Sequence, residues 1–212
     1  MLRLNQVKPT VMEFTTFTKA DDITDEDFIS LVMKFESDYL KNQSGLIFHC
    51  LVRNLKSEYA NLLFAEDMQS ITNIGNGFSS SDTAKEFMKS IKPQTVKIHY
   101  HKILKDNFKI PENFSCFEHG TFSPKDNSDF FEANLLSVSE QIENTHLNTF
   151  ENTLSHFIGK IDNETYSEIT FGKTLGGTKE ICYGYLNNES GMKMMSMCDP
   201  ETMDLGFWYL IA

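Results

Sequence analysis

Four side chains in the first half of the sequence have the types that proton chemistry needs: Glu13, His49, His99 and His101. An imidazole changes charge near neutral pH, and a carboxylate beside it tunes that change, so a Glu–His pair is a candidate acid–base couple. His99 and His101 sit two apart in VKIHYHKIL, a run that otherwise reads as a β-strand. Side chains at i and i+2 of a strand share a face. Two such imidazoles, with Glu13 or His49 beside them, could also ligate a metal ion. That spacing is common by chance, and no metal is assigned. The plainer alternative is architectural, with polar groups on a sheet face meeting polar partners and doing no chemistry.

The elements that must hold these residues occur twice. YANLLFAEDMQSITNI from Tyr59 matches YSEITFGKTLGGTKEI from Tyr166, an offset of 107 residues (166 − 59). At the same offset His49 meets His156, Met88 meets Met195 and Pro93 meets Pro200. Nearer the start the register slips, and EFTTF at 13–17 resembles FEHGTF at 117–122. Residues 1–104 therefore read as one copy, 113–212 as the second, and KDNFKIPE (105–112) as a polar connection.

Each copy has the order β-α-β-β-α-β. In the first, a strand at 10–18 is followed by a helix that Thr24 can cap, with Asp27 three residues on. Phe28, Leu31, Val32, Phe35 and Tyr39 keep helical spacing. Strands at 46–54 and 58–66 form a hairpin around NLKS. A second helical region at 67–91 breaks near GNGFSSS, and a last strand follows Pro93. This is the ferredoxin-like unit, whose sheet carries helices on one face only. Two tandem units covering each other sheet to sheet predict an α+β barrel.

Period two sorts the strands into an apolar face (Met12, Phe14, Phe48, Cys50, Leu62, Phe64, Val96, Ile98, Tyr100) and a mixed face (Glu13, Thr15, Phe17, His49, Leu51, Arg53, Tyr59, Asn61, Leu63, His99, His101). Matching by polarity puts both histidines of VKIHYHKIL beside Glu13 and His49. At the offset, their counterparts are Gly206 and Trp208.

Composition narrows the classes. A net charge of −11 and no Lys/Arg cluster argue against nucleic acid and against an anionic membrane surface. No apolar run reaches a membrane span, and the first residues lack a signal peptide's apolar core. Cys50, Cys116, Cys182 and Cys198 are scattered, as reduced thiols of a cytoplasmic protein would be.

VMEFTTFTKADDITDEDF, LKNQSGLIFHCLVRN, SEYANLLFAEDMQSI and AKEFMKSIKPQTVKIHYHKI together resemble the dimeric α+β barrel superfamily, in particular antibiotic-biosynthesis-monooxygenase-like proteins. The second copy fits mainly over 150–212. The resemblance implies a fused pseudo-dimer, hence a monomer or at most a weak homodimer. It also implies a ligand pocket between sheet and helices, lined by Phe14, Phe48, Phe64, Tyr100 and Phe35, with Trp208 from the second copy. Haem-degrading relatives carry an Asn on the first strand, which TVMEFTTF lacks, so no cofactor is expected. The implied function is a cofactor-independent monooxygenase acting on a small aromatic or polyketide-like molecule. The alternative is a non-catalytic binding or stress-associated barrel protein.

Overall fold

The computed structural model describes residues 1–125 and 131–212. They fall into two compact units, Met1–Tyr100 with Leu210–Ala212, and His101–Tyr209.

The first unit contains β1 (Leu2–Arg3), β2 (Val11–Phe17), α1 (Asp25–Asp38), β3 (Leu46–Asn54), β4 (Tyr59–Ala65), α2 (Met68–Gly77), α3 (Asp82–Lys89) and most of β5 (Lys97–Ile103). Its strand order is β1-β3-β4-β2-β5. Apart from the short β1, that is the ferredoxin-like order. Thr24 caps α1 by accepting from the Asp27 N–H at 3.1 Å, while its hydroxyl donates to the Asp27 carboxylate at 2.7 Å. Ser81 restarts the second helical region by capping α3. The hairpin between β3 and β4 turns at Ser57, the one described non-glycine residue with positive φ.

The second unit contains β6 (Cys116–Phe122), α4 (Phe131–Thr145), β7 (Thr153–Lys160), β8 (Tyr166–Gly172), α5 (Leu175–Tyr183), α6 (Glu189–Met197) and β9 (Asp204–Leu210). Its strand order is β7-β8-β6-β9, and Lys102 and Ile103 at the end of β5 pair with Lys160 and Gly159 of β7. The unit boundary thus falls inside β5 rather than in 105–112. Phe108 and Ile110 explain this, because both are buried, Phe108 with its ring 4.5 Å from Phe157.

Local devices recur at the 107-residue offset. Asp67 and Thr174 cap the helices that follow the hairpins, and Ser81 and Asn188 cap the ones after. Arg53 bonds Asp25 at 2.9 Å, and Lys160 bonds Glu132 at 2.7 Å, each tying the start of the first helix to the hairpin. The Tyr39 hydroxyl donates to the Ile74 carbonyl, and His146 Nε2 donates to the Ile181 carbonyl.

In each unit the helices cover the mixed face of the sheet. In the first, Phe28, Val32 and Phe35 of α1 pack with Phe17, Leu51, Tyr59 and Leu63. In the second, Leu135, Val138 and Ile142 of α4 pack with Phe122, Ile158 and Tyr166. This corrects the expectation that the apolar face lines a pocket under the helices. Phe17, Leu51, Tyr59 and Leu63 share that face with the polar groups and supply the apolar area on which the helices pack.

Candidate functional site

In the first unit a cavity of about 110 Å³ lies between sheet and helices, lined among others by Glu13, Phe35, His49, Asn61, Gly75 and Tyr100. Glu13 comes from β2 and pairs across with Leu63 of β4, and His49 of β3 pairs with the same residue. The register therefore sets the carboxyl and the imidazole on either side of one β4 position. Burial pushes the Glu13 carboxyl up, against a hydrogen bond from the Thr15 hydroxyl (2.7 Å) and the nearby His49.

His49 is 1% exposed, and its Nδ1 lies 2.8 Å from Glu36 Oε1. Burial works to raise the Glu36 carboxyl, but the His49 hydrogen bond and charge outweigh it and hold it below the usual range. Glu36 is thus the carboxylate that faces His49 Nδ1 and orients the ring. Nε2 is buried and has no hydrogen-bond partner among the described residues, and the same is true of the Asn61 carbonyl oxygen. A carboxylate orienting one ring nitrogen while the other stays unused is the arrangement of a general base.

The second unit repeats the position and changes the chemistry. A cavity of about 150 Å³ is lined by Glu118, Glu168, Cys182 and Tyr185, with Leu186, Met194, Met203 and Leu205 among its apolar walls. By strand register Glu118 matches Glu13, since it pairs with Thr170 as Glu13 pairs with Leu63. His156 matches His49 and, at 2% exposure, is equally buried, but carboxylates hold both its nitrogens. Nδ1 meets Glu143 at 2.9 Å and Nε2 meets Glu168 at 2.9 Å. Burial works against a charged ring, but the hydrogen bonds and charges of Glu143 and Glu168 prevail and raise His156 to about 9.

Lys105 donates to Glu143, and the Tyr185 hydroxyl donates to Glu168 at 2.8 Å. The Cys182 thiol donates to Glu118 Oε1 at 3.1 Å. Burial, and then the Glu168 charge, push the Glu118 carboxyl up to about 8. Three exchanges at the offset make this difference: Asn61 for Glu168, Gly75 for Cys182 and Phe78 for Tyr185.

The sequence-predicted residues divide accordingly. Glu13, His49, Phe35 and Tyr100 meet at one cavity. His99 and His101 are not on its wall, because the β5 residues that reach it are Ile98 and Tyr100. Strand alternation then turns both histidines to the other face. His101 is fully buried in the second unit, its Nδ1 2.8 Å from the Ser167 hydroxyl and its ring edge-on to His119. Polarity matching had assigned them to the wrong face, since a buried histidine needs a partner rather than a polar face.

Phe14, Phe48 and Phe64 are buried on the sheet face away from the helices, Phe48 and Phe64 with ring centroids 6.1 Å apart. They are not on the wall of either of these two cavities. Trp208 pairs with Phe117 and is 5% exposed, while its neighbour Phe207 faces Tyr183 of α5, so the indole points away from the second cavity. Glu36 was missed. The signal was available, because Glu36 and His49 recur at the offset as Glu143 and His156.

No family model matches the sequence, and no curated protein matches it. The fold is shared with solved structures. A monooxygenase candidate from Fusobacterium nucleatum is 9% identical, with 95% of this chain and 92% of that one covered, at a TM-score of 0.66. An anthrone oxidase-like protein is 9% identical, with 97% and 92% covered, at 0.63. A ferredoxin-fold protein from Listeria monocytogenes, related to antibiotic biosynthesis monooxygenases, is 9% identical, with 97% and 96% covered, at 0.51. The ferredoxin-like α+β fold is therefore shared with these structures over nearly the whole chain. No described helix is long and apolar enough to cross a membrane.

Proposed function

We propose that the protein is a monooxygenase-like enzyme that binds a small electron-rich aromatic molecule in the first unit's cavity, with His49 as general base. The observation that carries this reading is the unpartnered Nε2 of a buried imidazole whose Nδ1 is held by the Glu36 carboxylate. His49 takes a proton from an acidic C–H or O–H of the substrate, and Glu36 stabilises the imidazolium that forms. The resulting carbanion or phenolate is electron-rich enough to reduce dioxygen without a cofactor. For a hydroquinone, one oxygen atom becomes a new ring hydroxyl and the other leaves as water with two of the substrate's hydrogens, so that a hydroxyquinone is the product. Glu13, kept toward its neutral form by burial, is placed to return or share a proton. Tyr100 and Phe35 supply aromatic wall.

The two units descend, in this reading, from one β-α-β-β-α-β module used twice. The repeated caps, ion pairs and Glu–His couples support this, the latter separated by 13 residues in both units.

The test is dioxygen uptake by the purified protein with a panel of single-ring hydroquinones. At least one compound should be consumed faster than its spontaneous oxidation. His49→Gln should lower that rate by about 100-fold or more while the protein stays folded. No uptake above the spontaneous rate with any compound, or full activity in His49→Gln, would sink the proposal.

A further inference from the structure

The second cavity has no free base, since both nitrogens of His156 are engaged. What it offers is an apolar chamber with one carboxyl in its wall. Met194 and Cys198 are buried there, and Leu186, Met203 and Leu205 close the sides. Glu118 is 3% exposed and bonds only the Cys182 thiol, through Oε1. Its second oxygen has no hydrogen bond among the described residues.

We propose that this cavity is a second binding site, for an uncharged, single-ring aromatic molecule whose carbonyl oxygen accepts a hydrogen bond from Glu118. An apolar chamber near 150 Å³ is the size that admits one benzene ring. The charges decide the rest. Lys105 and His156 offset Glu143 and Glu168, so no net positive charge is left for an anion. A cation finds the Glu168 charge already compensated by His156, which bonds its Oε1 as Tyr185 does. Glu118 holds its proton at neutral pH, which makes it a donor rather than a counter-ion. A buried donor selects ligands that can satisfy it and penalises those that cannot. The proposal stands apart from the reaction assigned to the first unit and needs no turnover.

Four probes of one size separate the cases: acetophenone (carbonyl), ethylbenzene (no acceptor), 1-phenylethylamine (cation) and 2-phenylpropionate (anion). Titration calorimetry on the full chain at pH 6.5 should rank acetophenone first, about fivefold tighter than ethylbenzene, the ratio one neutral hydrogen bond gives. At pH 9.5 that advantage should vanish as Glu118 ionises. The groups facing it are Glu168 of β8, His156 of β7, Cys182 of α5, Tyr185 and Asp204. Glu118→Gln, which keeps an N–H donor, should keep the preference and lose its pH dependence. Gly120→Val should block all binding, because a Cβ there fits with its nearest neighbours at 3.8 Å and the added methyls enter the cavity. Equal affinity for ethylbenzene and acetophenone, preference for the amine, binding that survives Gly120→Val, or no binding at millimolar concentration would each overturn the proposal.

Discussion

His49 and His156 occupy the same place in two units and differ in what remains for them to do. Each sits on the strand after the first helix, and each gives Nδ1 to a glutamate 13 residues earlier. Nε2 of His156 ends on Glu168, whereas Nε2 of His49 ends on nothing described. A buried imidazole clamped on both sides is a structural cation whose proton is not available for transfer. One clamped on a single side keeps a nitrogen without a partner, at some cost in stability because an unmade buried hydrogen bond is unfavourable. The comparison teaches that one exchange, Asn61 against Glu168, decides whether the second nitrogen of this histidine has a partner.

That exchange can be reversed, and doing so should give the largest effect. Asn61→Glu should deliver a carboxylate to His49 Nε2 and remove the proton acceptor, lowering any base-catalysed rate by about 100-fold or more. Nitrogen NMR of the His49 ring should then show both nitrogens protonated at pH 7.5. An active Asn61→Glu protein with a doubly protonated ring would break the comparison, since a clamped imidazole would be doing the chemistry.

Removing the two rings should cost unequal stability. His156→Ala leaves Glu168, 6% exposed, without its cation and Glu143 with Lys105 alone. The expected loss is about 3–5 kcal/mol, the usual penalty for stripping one partner from a buried charge pair. His49→Ala strips one carboxylate and should cost about 1–3 kcal/mol. Urea denaturation gives the ordering. Trp208, the one tryptophan, lies in the second unit and makes fluorescence a reporter of that unit. Equal losses would show that Glu168 contributes nothing to holding His156.

The same asymmetry should appear on the alkaline side. His156 rises from 6.5 to about 9 in the folded protein, so its contribution is complete below pH 6.5 and lost as pH climbs to 9. By linkage that is about 3 kcal/mol. Glu118, raised from 4.5 to about 8, acts in the same direction, because the folded state holds a proton that the unfolded state has released. Stability reported by Trp208 should therefore fall between pH 6.5 and 9, and Glu118→Gln should flatten part of the slope. Glu36 is depressed, so its contribution is present above pH 4.5 and fades in acid. A pH-independent urea midpoint for the second unit would contradict the clamp.

Much of this was written in the sequence, and the missing part has a physical cause. The unit order and the first helix's cap followed from periodicity and from Thr24 with Asp27, which act within one turn of chain. Glu13 and His49 were found together because both stand out on strands. Which sheet face meets the helices was not legible, since alternation separates two faces without naming the covered one. The parity of β5 was lost for a related reason. His99 and His101 look polar, but His101 is fully buried with Ser167, a partner 66 residues away that no local pattern predicts. Glu36 was hidden because a charged residue on a helix ordinarily reads as solvent-facing, and only its recurrence as Glu143 marks it as buried machinery.

The smallest effect distinguishes the cavity floor from the helix contact two residues away. Gly75 lies inside α2, and a Cβ there meets nothing within 4 Å. Its counterpart in the second unit is Cys182, so the backbone accepts a side chain at this position. Gly75→Ala should therefore stabilise by about 0.5–1 kcal/mol, through helix propensity and a less flexible unfolded chain. Gly77→Ala should do the opposite, because its Cβ would collide with the Tyr39 hydroxyl that holds the Ile74 carbonyl. Gly184→Ala should destabilise the second unit in the same way, with its Cβ 2.8 Å from His146 Cε1. Thermal unfolding of the three variants checks the pattern. If Gly75→Ala proved as harmful as the other two, the first cavity would be filled at its floor, and the room assigned to a substrate beside His49 would not exist.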